Sequence, residues 1–235
     1  MFDYDGTLTP LRSNVDRSFF PASSRRLLER LAHRHKVVIV SGRDLDDLRR
    51  LAGPLKGIGL VGTHGAETRG IPGFSLSSRS HQKRLSRDRK RLMTALRRDF
   101  KGVRGIFLQE KRYALSIHYA VWTGNTGKIR EIQSKFKKVV RHNGDMRFWT
   151  FQSGRAMLDL RPRGFSKSSA VRQLLKRFPN HVAMFAGDDR SDRGALAALG
   201  RKGLKVAVGK HIPNRLCDRR FPSPSAFLRY LQRLT

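Results

Sequence analysis

The residues best suited to chemistry are acids that stand where apolar runs give way to loops. Asp3 and Asp5 lie within Asp3-Tyr4-Asp5-Gly6-Thr7-Leu8, Ser41 opens Ser41-Gly42-Arg43 after Val37–Val40, and Asp188 follows Gly187 after Val182–Ala186. Aspartate is poor in strands and costly to bury unpaired. Taken singly, each acid reads as a turn or helix-cap residue. Taken together, Asp3, Asp5 and Asp188 at one edge of a sheet would repel one another without a cation. An oxygen-rich set of this kind suits Mg²⁺, which accepts a few carboxylates, waters and a phosphate oxygen.

The elements that must position these acids alternate along the chain. Ser23–His35 carries Leu27, Leu28, Leu31 and Ala32 at helical spacing, and Val37–Val40 follows as a short β-branched run. Asp44–Leu51 reads as a helix and Ile58–Gly62 as a strand. Late in the chain, Val182–Ala186 and Leu204–Val208 bracket a helix over Asp192–Leu199. Such repetition predicts an α/β fold: a Rossmann-like parallel sheet with helices on both faces, whose ligands bind at the carboxyl ends of the strands. The middle departs from this pattern. After Gly70–Ser80, rich in Gly, Ser and Pro, come a basic helix over Arg84–Phe100, a strand within Tyr113–Val121, a helix over Lys128–Val140, and strands at Arg147–Phe151 and Ala156–Leu160. The expected organisation is a core domain from residues 1–75 and 161–235, interrupted by an inserted α/β cap domain at 76–160.

Composition narrows the class. The 235 residues are 38% hydrophobic with a single cysteine, Cys217. That is enough apolar material for a core, and it excludes an intramolecular disulfide framework or a cysteine-rich metal site. No run is long enough to cross a membrane and the start has no signal-peptide character, so a monomer in a reducing cytoplasm is expected. Fifty Lys and Arg against eighteen Asp and Glu give a formal charge of +32. Such a field draws in anions and polyanions. A solvated basic surface is the simpler account, and a nucleic-acid partner is the alternative, suggested by the dense stretch Arg79–Arg98. Few aromatics interleave there, which weakens a single-strand stacking platform.

Phe2-Asp3-Tyr4-Asp5-Gly6-Thr7-Leu8, Ser41, Lys167 at a helix head and Gly187-Asp188-Asp189-Arg190-Ser191-Asp192 together resemble, in order and spacing, the four motifs of the haloacid dehalogenase-like phosphatase superfamily. Val40-Ser41-Gly42-Arg43, Gly62-Thr63-His64-Gly65-Ala66-Glu67, Ser116-Ile117-His118-Tyr119 and Leu158-Asp159-Leu160-Arg161-Pro162 look, within it, like trehalose-6-phosphate phosphatases. The resemblance implies a sugar-phosphate monoesterase. Asp3 would attack phosphorus and form an aspartyl-phosphate. Asp5 would protonate the leaving oxygen and then deprotonate water. Asp3, the main-chain carbonyl of Asp5 and Asp188 would hold Mg²⁺. Ser41 and Lys167 would bind phosphoryl oxygens, and Asp189 and Asp192 would orient metal waters and Lys167. The inserted cap would read the sugar, with Arg43, His64, His118, Arg155 and Asp159 as the substrate-binding candidates.

The sequence departs from that pattern at three places. Arg193 follows Asp192 where an acid is usual, Ser168 follows Lys167 where Gly is usual, and Asp159 replaces a more usual Glu. Only Met1 and Phe2 precede Asp3, whereas the strand that carries it is expected to be central and about 5 residues long. Either that strand is short or residues lie upstream of Met1.

Overall fold

The computed structural model describes residues 1–11, 18–154, 156–201 and 203–235. Among them the chain forms two compact units, Met1–Leu76 with Phe165–Thr235, and Ser77–Gly164. No helix among the described residues is long and apolar enough to cross a membrane.

The first unit is built on a mainly parallel sheet. β1 (Val38–Val40) pairs in parallel with β2 (Gly59–Gly62), which pairs antiparallel with β3 (Glu67–Arg69). On the other side β8 (Met184–Gly187), β9 (Leu204–Val208) and β10 (Arg219–Phe221) run in parallel. Phe2 joins the two halves. It bridges in parallel to Ile39 and to Ala186. Its amide donates to the Val38 carbonyl at 2.9 Å, its carbonyl accepts from the Val40 amide at 2.8 Å, and the Asp3 amide donates to the Ala186 carbonyl at 2.9 Å. Asp3 is therefore delivered from the centre of the sheet, as the sequence requires, although its ladder is a single-residue bridge on each side.

Alternation along the strands sends neighbouring side chains to opposite faces, and each face is covered by helices. Ile39, Leu60, Val206 and Val208 pack with Leu27, Leu28 and Leu31 of α1 (Ala22–Arg34), Leu48 and Leu51 of α2 (Leu45–Ala52), and Phe227 and Leu231 of α7 (Pro224–Gln232). Val38, Val40, Val61 and Ala207 pack with Ala170, Val171 and Leu174 of α5 (Lys167–Arg177) and with Ala195 and Leu196 of α6 (Arg193–Ala198). Each fully buried Val, Leu or Ile contributes about 1.5–3 kcal/mol. The sheet is thus fixed from both sides, and its loop ends are left free to carry polar groups.

The second unit is an antiparallel sheet in the order β4-β5-β7-β6, formed by β4 (Phe107–Glu110), β5 (Leu115–His118), β6 (Trp149–Gly154) and β7 (Met157–Pro162). It also holds α3 (Arg79–Asp99) and α4 (Thr126–Asn143), which pack on each other. Leu85, Leu92, Leu96, Ile132, Phe136 and Val140 are buried, and the Trp149 indole donates to the buried Asp88 carboxylate at 2.6 Å.

Several boundaries differ from the sequence reading. α3 starts five residues before Arg84, because Ser78 caps it by accepting from the His81 amide. β5 ends at His118, because Ala120–Trp122 turns into a 3-10 helix. The strands expected at Arg147–Phe151 and Ala156–Leu160 lie about two residues later. The Phe148 amide closes a turn onto the Asp145 carbonyl, and Ala156 takes a left-handed φ of 54°. A domain boundary at 160 would fall inside β7.

Candidate active site

Asp3, Ser41, Lys167, Asp188 and Asp192 are all buried in the first unit. The loop after Asp3 is a tight knot. The amides of Leu8 and Thr9 both donate to the Tyr4 carbonyl at 3.0 Å, and the Gly6 amide donates to the Thr9 carbonyl at 2.7 Å. Gly6 adopts φ +79°, and a Cβ at that position would lie 2.2 Å from Oδ2 of Asp188. Only glycine meets both demands, a left-handed backbone and the close approach of a carboxylate. The Thr7 hydroxyl donates to Asp188 at 3.3 Å. Thr7 has no role assigned from the sequence, although it lies within the Phe2–Leu8 motif.

Lys167 is the first residue of α5. Ser166 caps that helix through a capping box with Ser169, which fixes the direction of the first turn. The ammonium is 5% exposed and touches two acids, Asp3 Oδ1 at 2.5 Å and Asp192 Oδ1 at 2.8 Å. Asp192 is fully buried, and its other oxygen accepts from the amides of Asp188 at 3.1 Å and Asp189 at 3.2 Å. Asp192 therefore holds Lys167 directly and braces the backbone that presents Asp188. Asp189 caps the 3-10 turn Arg190–Asp192, accepting from both the amide and the hydroxyl of Ser191 at 2.7 Å. Arg193, placed where an acid is usual, donates to the His211 carbonyl at 2.8 Å.

The electrostatics follow from burial. Removal from water pushes the Asp3 carboxyl up to about 7; Lys167 draws it down, and Asp188 opposes that. Asp188 is likewise pushed up to about 7 by burial and then by Asp192 and Asp189. Asp192 reaches about 7 through burial and Asp3. Burial pulls Lys167 down, but Asp192 and Asp3 outweigh it and hold the ammonium charged. Carboxylate oxygens of Asp3, Asp188 and Asp192 lie within 4.8 Å of one another. The donor set fits a small, hard divalent cation: oxygen ligands only, mutually repelling, with backbone and not side chain at Gly6. Asp3 and Asp188 would hold it, since both oxygens of Asp192 already have protein donors.

Ser41 and Arg43 leave the end of β1. The Ser41 amide donates to the Val61 carbonyl at 2.9 Å, and its hydroxyl accepts from the Arg43 amide at 3.1 Å. Arg43 grips the Asp5 carboxylate through Nε at 2.6 Å and Nη2 at 2.8 Å. The sequence reading set these two apart, as acid–base and as substrate ligand, whereas the structure pairs them. His64 lies in the turn Thr63–Gly65 with φ 57°; its amide donates to the Ser41 carbonyl at 2.9 Å and its ring lies against Gly42. His118 and Asp159 belong to the second unit. There His118 bonds Gln109 at 3.0 Å, and Asp159 accepts from the Ser116 hydroxyl at 2.5 Å and lies 3.8 Å from the Lys111 ammonium. Arg155 lies outside the described residues.

A family model described as Trehalose-phosphatase matches residues 1–215. A trehalose-phosphate phosphatase of Mycobacterium marinum is 28% identical over 217 residues, which cover 88% of this chain and 53% of that protein. The trehalose-phosphate phosphatase of Mycobacterium tuberculosis strain H37Rv is 26% identical, with 88% and 52% covered. The chain thus spans about half the length of these relatives. Among solved structures, a trehalose-6-phosphate phosphatase related protein superposes with a TM-score of 0.80 at 25% identity, covering 99% of this chain and 95% of that one. The C-terminal domain of the Candida albicans trehalose-6-phosphate phosphatase shares the fold with a TM-score of 0.75 at 21% identity, covering 99% and 90%. The nucleic-acid alternative draws no support from these relatives.

Proposed function

The chain belongs to the trehalose-phosphatase family, and from that premise we propose that its Asp3 centre hydrolyses a sugar phosphate, trehalose 6-phosphate first among candidates, with Mg²⁺ as cofactor. One observation carries the reading: two buried acids at the loop end of the sheet, Asp3 and Asp188, face each other with one buried ammonium beside them. Carboxylates burdened in this way gain from a divalent cation, and such strongly perturbed acids cluster at functional sites.

When bound, Mg²⁺ offsets the repulsion between carboxylate and phosphate and polarises the phosphoryl group. The chain's own residues do the rest. An Asp3 carboxylate oxygen forms a bond to phosphorus as the bond from phosphorus to the sugar oxygen breaks, and Asp5 gives that oxygen a proton. Asp5 then takes a proton from water; the water oxygen bonds to phosphorus, and the phosphorus–oxygen bond to Asp3 breaks. Lys167 neutralises charge on Asp3 and on the phosphoryl oxygens, held in place by Asp192. Ser41 supplies a hydroxyl at the β1 exit.

The test is release of inorganic phosphate from a panel of sugar phosphates with Mg²⁺. Trehalose 6-phosphate is expected to lead the panel, and Asp3→Asn to lower turnover by about 10⁴-fold or more with the fold retained. Zero release from every ester by folded protein, or full activity in Asp3→Asn, would falsify the reading.

A further inference from the structure

The Arg43–Asp5 pair has a geometry that a substrate-binding arginine does not need. The guanidinium presents its side to the carboxylate, so Nε meets Oδ2 and Nη2 meets Oδ1, and both oxygens are engaged at once. This two-point contact fixes the plane of the carboxylate as well as its position. Arg43 is itself immobilised from several directions. Its amide donates to Ser41 Oγ, and its carbonyl accepts from the Thr63 amide at 2.7 Å. Its guanidinium carbon lies 5.9 Å from the centre of the buried Tyr4 ring, and Asp47 approaches Nη1 at 3.6 Å. The Arg43 side chain is 9% exposed against 26% for Asp5. The buried partner is the arginine, and the partner open to solvent is the acid.

We propose that Arg43 is a positioning residue, whose guanidinium fixes the Asp5 carboxylate for proton transfer in both halves of the reaction, and that it does not bind the substrate's phosphate. This rests on the phosphatase reading and deepens it. Both proton transfers require the same carboxylate at one place relative to phosphorus, first beside the leaving oxygen and then beside the attacking water. Displacement of a reacting group by about 1 Å lowers rates by about 10²-fold. Asp5 sits on the loop that turns at Gly6, and Arg43 supplies the side-chain contact that sets its orientation.

The discriminating experiment compares a sugar phosphate with p-nitrophenyl phosphate, whose phenolate leaves without a proton. With Mg²⁺, Arg43→Met is expected to release about one equivalent of nitrophenolate per protein in a fast phase, as the phosphoryl group passes to Asp3. Turnover afterwards should be about 10²-fold slower than wild type, because water still depends on Asp5. Sugar-phosphate turnover should fall by a similar factor with KM changed less than about threefold. Arg43→Lys should behave like Arg43→Met, because an ammonium keeps the charge and cannot span two oxygens. Arg43→Gln repeats the test if Arg43→Met fails to fold, and Asp5→Asn should show the same burst. A raised KM for both esters with no burst, or recovery in Arg43→Lys, overturns the assignment. Wild-type protein that hydrolyses neither ester would instead overturn the phosphatase reading itself.

Discussion

Three acids cluster at the centre of the first unit, two of them paired with one ammonium, and each carboxyl is held near 7 chiefly by burial. These raised values make a statement about stability. The folded state keeps protons that the unfolded chain gives up near pH 4, so this cluster withdraws stability as pH rises from about 4 to about 7. A divalent cation bound between Asp3 and Asp188 would offset that penalty. In EDTA, thermal unfolding should show Asp188→Asn flattening the decline in melting temperature across this window. Added Mg²⁺ should raise the wild-type melting temperature at pH 8 far more than at pH 5, and should leave Asp188→Asn unmoved. A melting temperature at pH 8 indifferent to Mg²⁺ would contradict the role given to Asp3 and Asp188. At this scale the sequence yields the residue types and hides their pairings. Asp3, Asp188 and Lys167 are legible because they stand at element ends. The Asp5–Arg43 fork spans 38 positions, and the grip of Asp192 on Lys167 spans 25; both depend on how loops meet in space.

The elements were legible in proportion to their apolar contrast. β1 is a continuous β-branched run, β9 is apolar except for Lys205, and α1 carries a leucine face, so their places follow from the sequence alone. β4 is only partly covered, and β10 is three residues long with two exposed arginines, so neither presents a periodic signal. α7 did carry one: Ser223 caps it, Pro224 opens it, and Phe227 and Leu231 stand one turn apart. The loop that joins the central bridge to the site is the element on which catalysis leans most. Gly6→Ala there should cost about 1–2 kcal/mol for the left-handed backbone. It should also drive a methyl group into Asp188, so activity should fall much further than stability. Chemical denaturation and phosphate release, measured side by side, check this; equal losses would mean that Gly6 serves the loop and not the site. Ala at Gly102, which has φ +77° and nothing within 4 Å, supplies the strain-only comparison.

Across the whole molecule the charge is +32, while the centre is locally acidic. A field of that size steers anions over about 10 Å at 0.1 M ionic strength and is screened beyond it. If the substrate is a phosphate ester, raising NaCl from 20 mM to 300 mM should lower kcat/KM by several-fold and leave kcat nearly constant. A kcat/KM that ignores salt would mean that the basic residues serve no substrate. The local charge has a consequence for timing. Ionised, three carboxylates against one ammonium leave two negative charges at the end of the path along which the field draws an ester. The bare centre would turn away what the surface attracts, and a divalent cation would offset that charge. Compulsory-order loading is the expected outcome, with the ion first and the ester second, so inorganic phosphate should bind in the presence of Mg²⁺ and not in EDTA; calorimetric titration that finds equal phosphate binding in both would contradict this order.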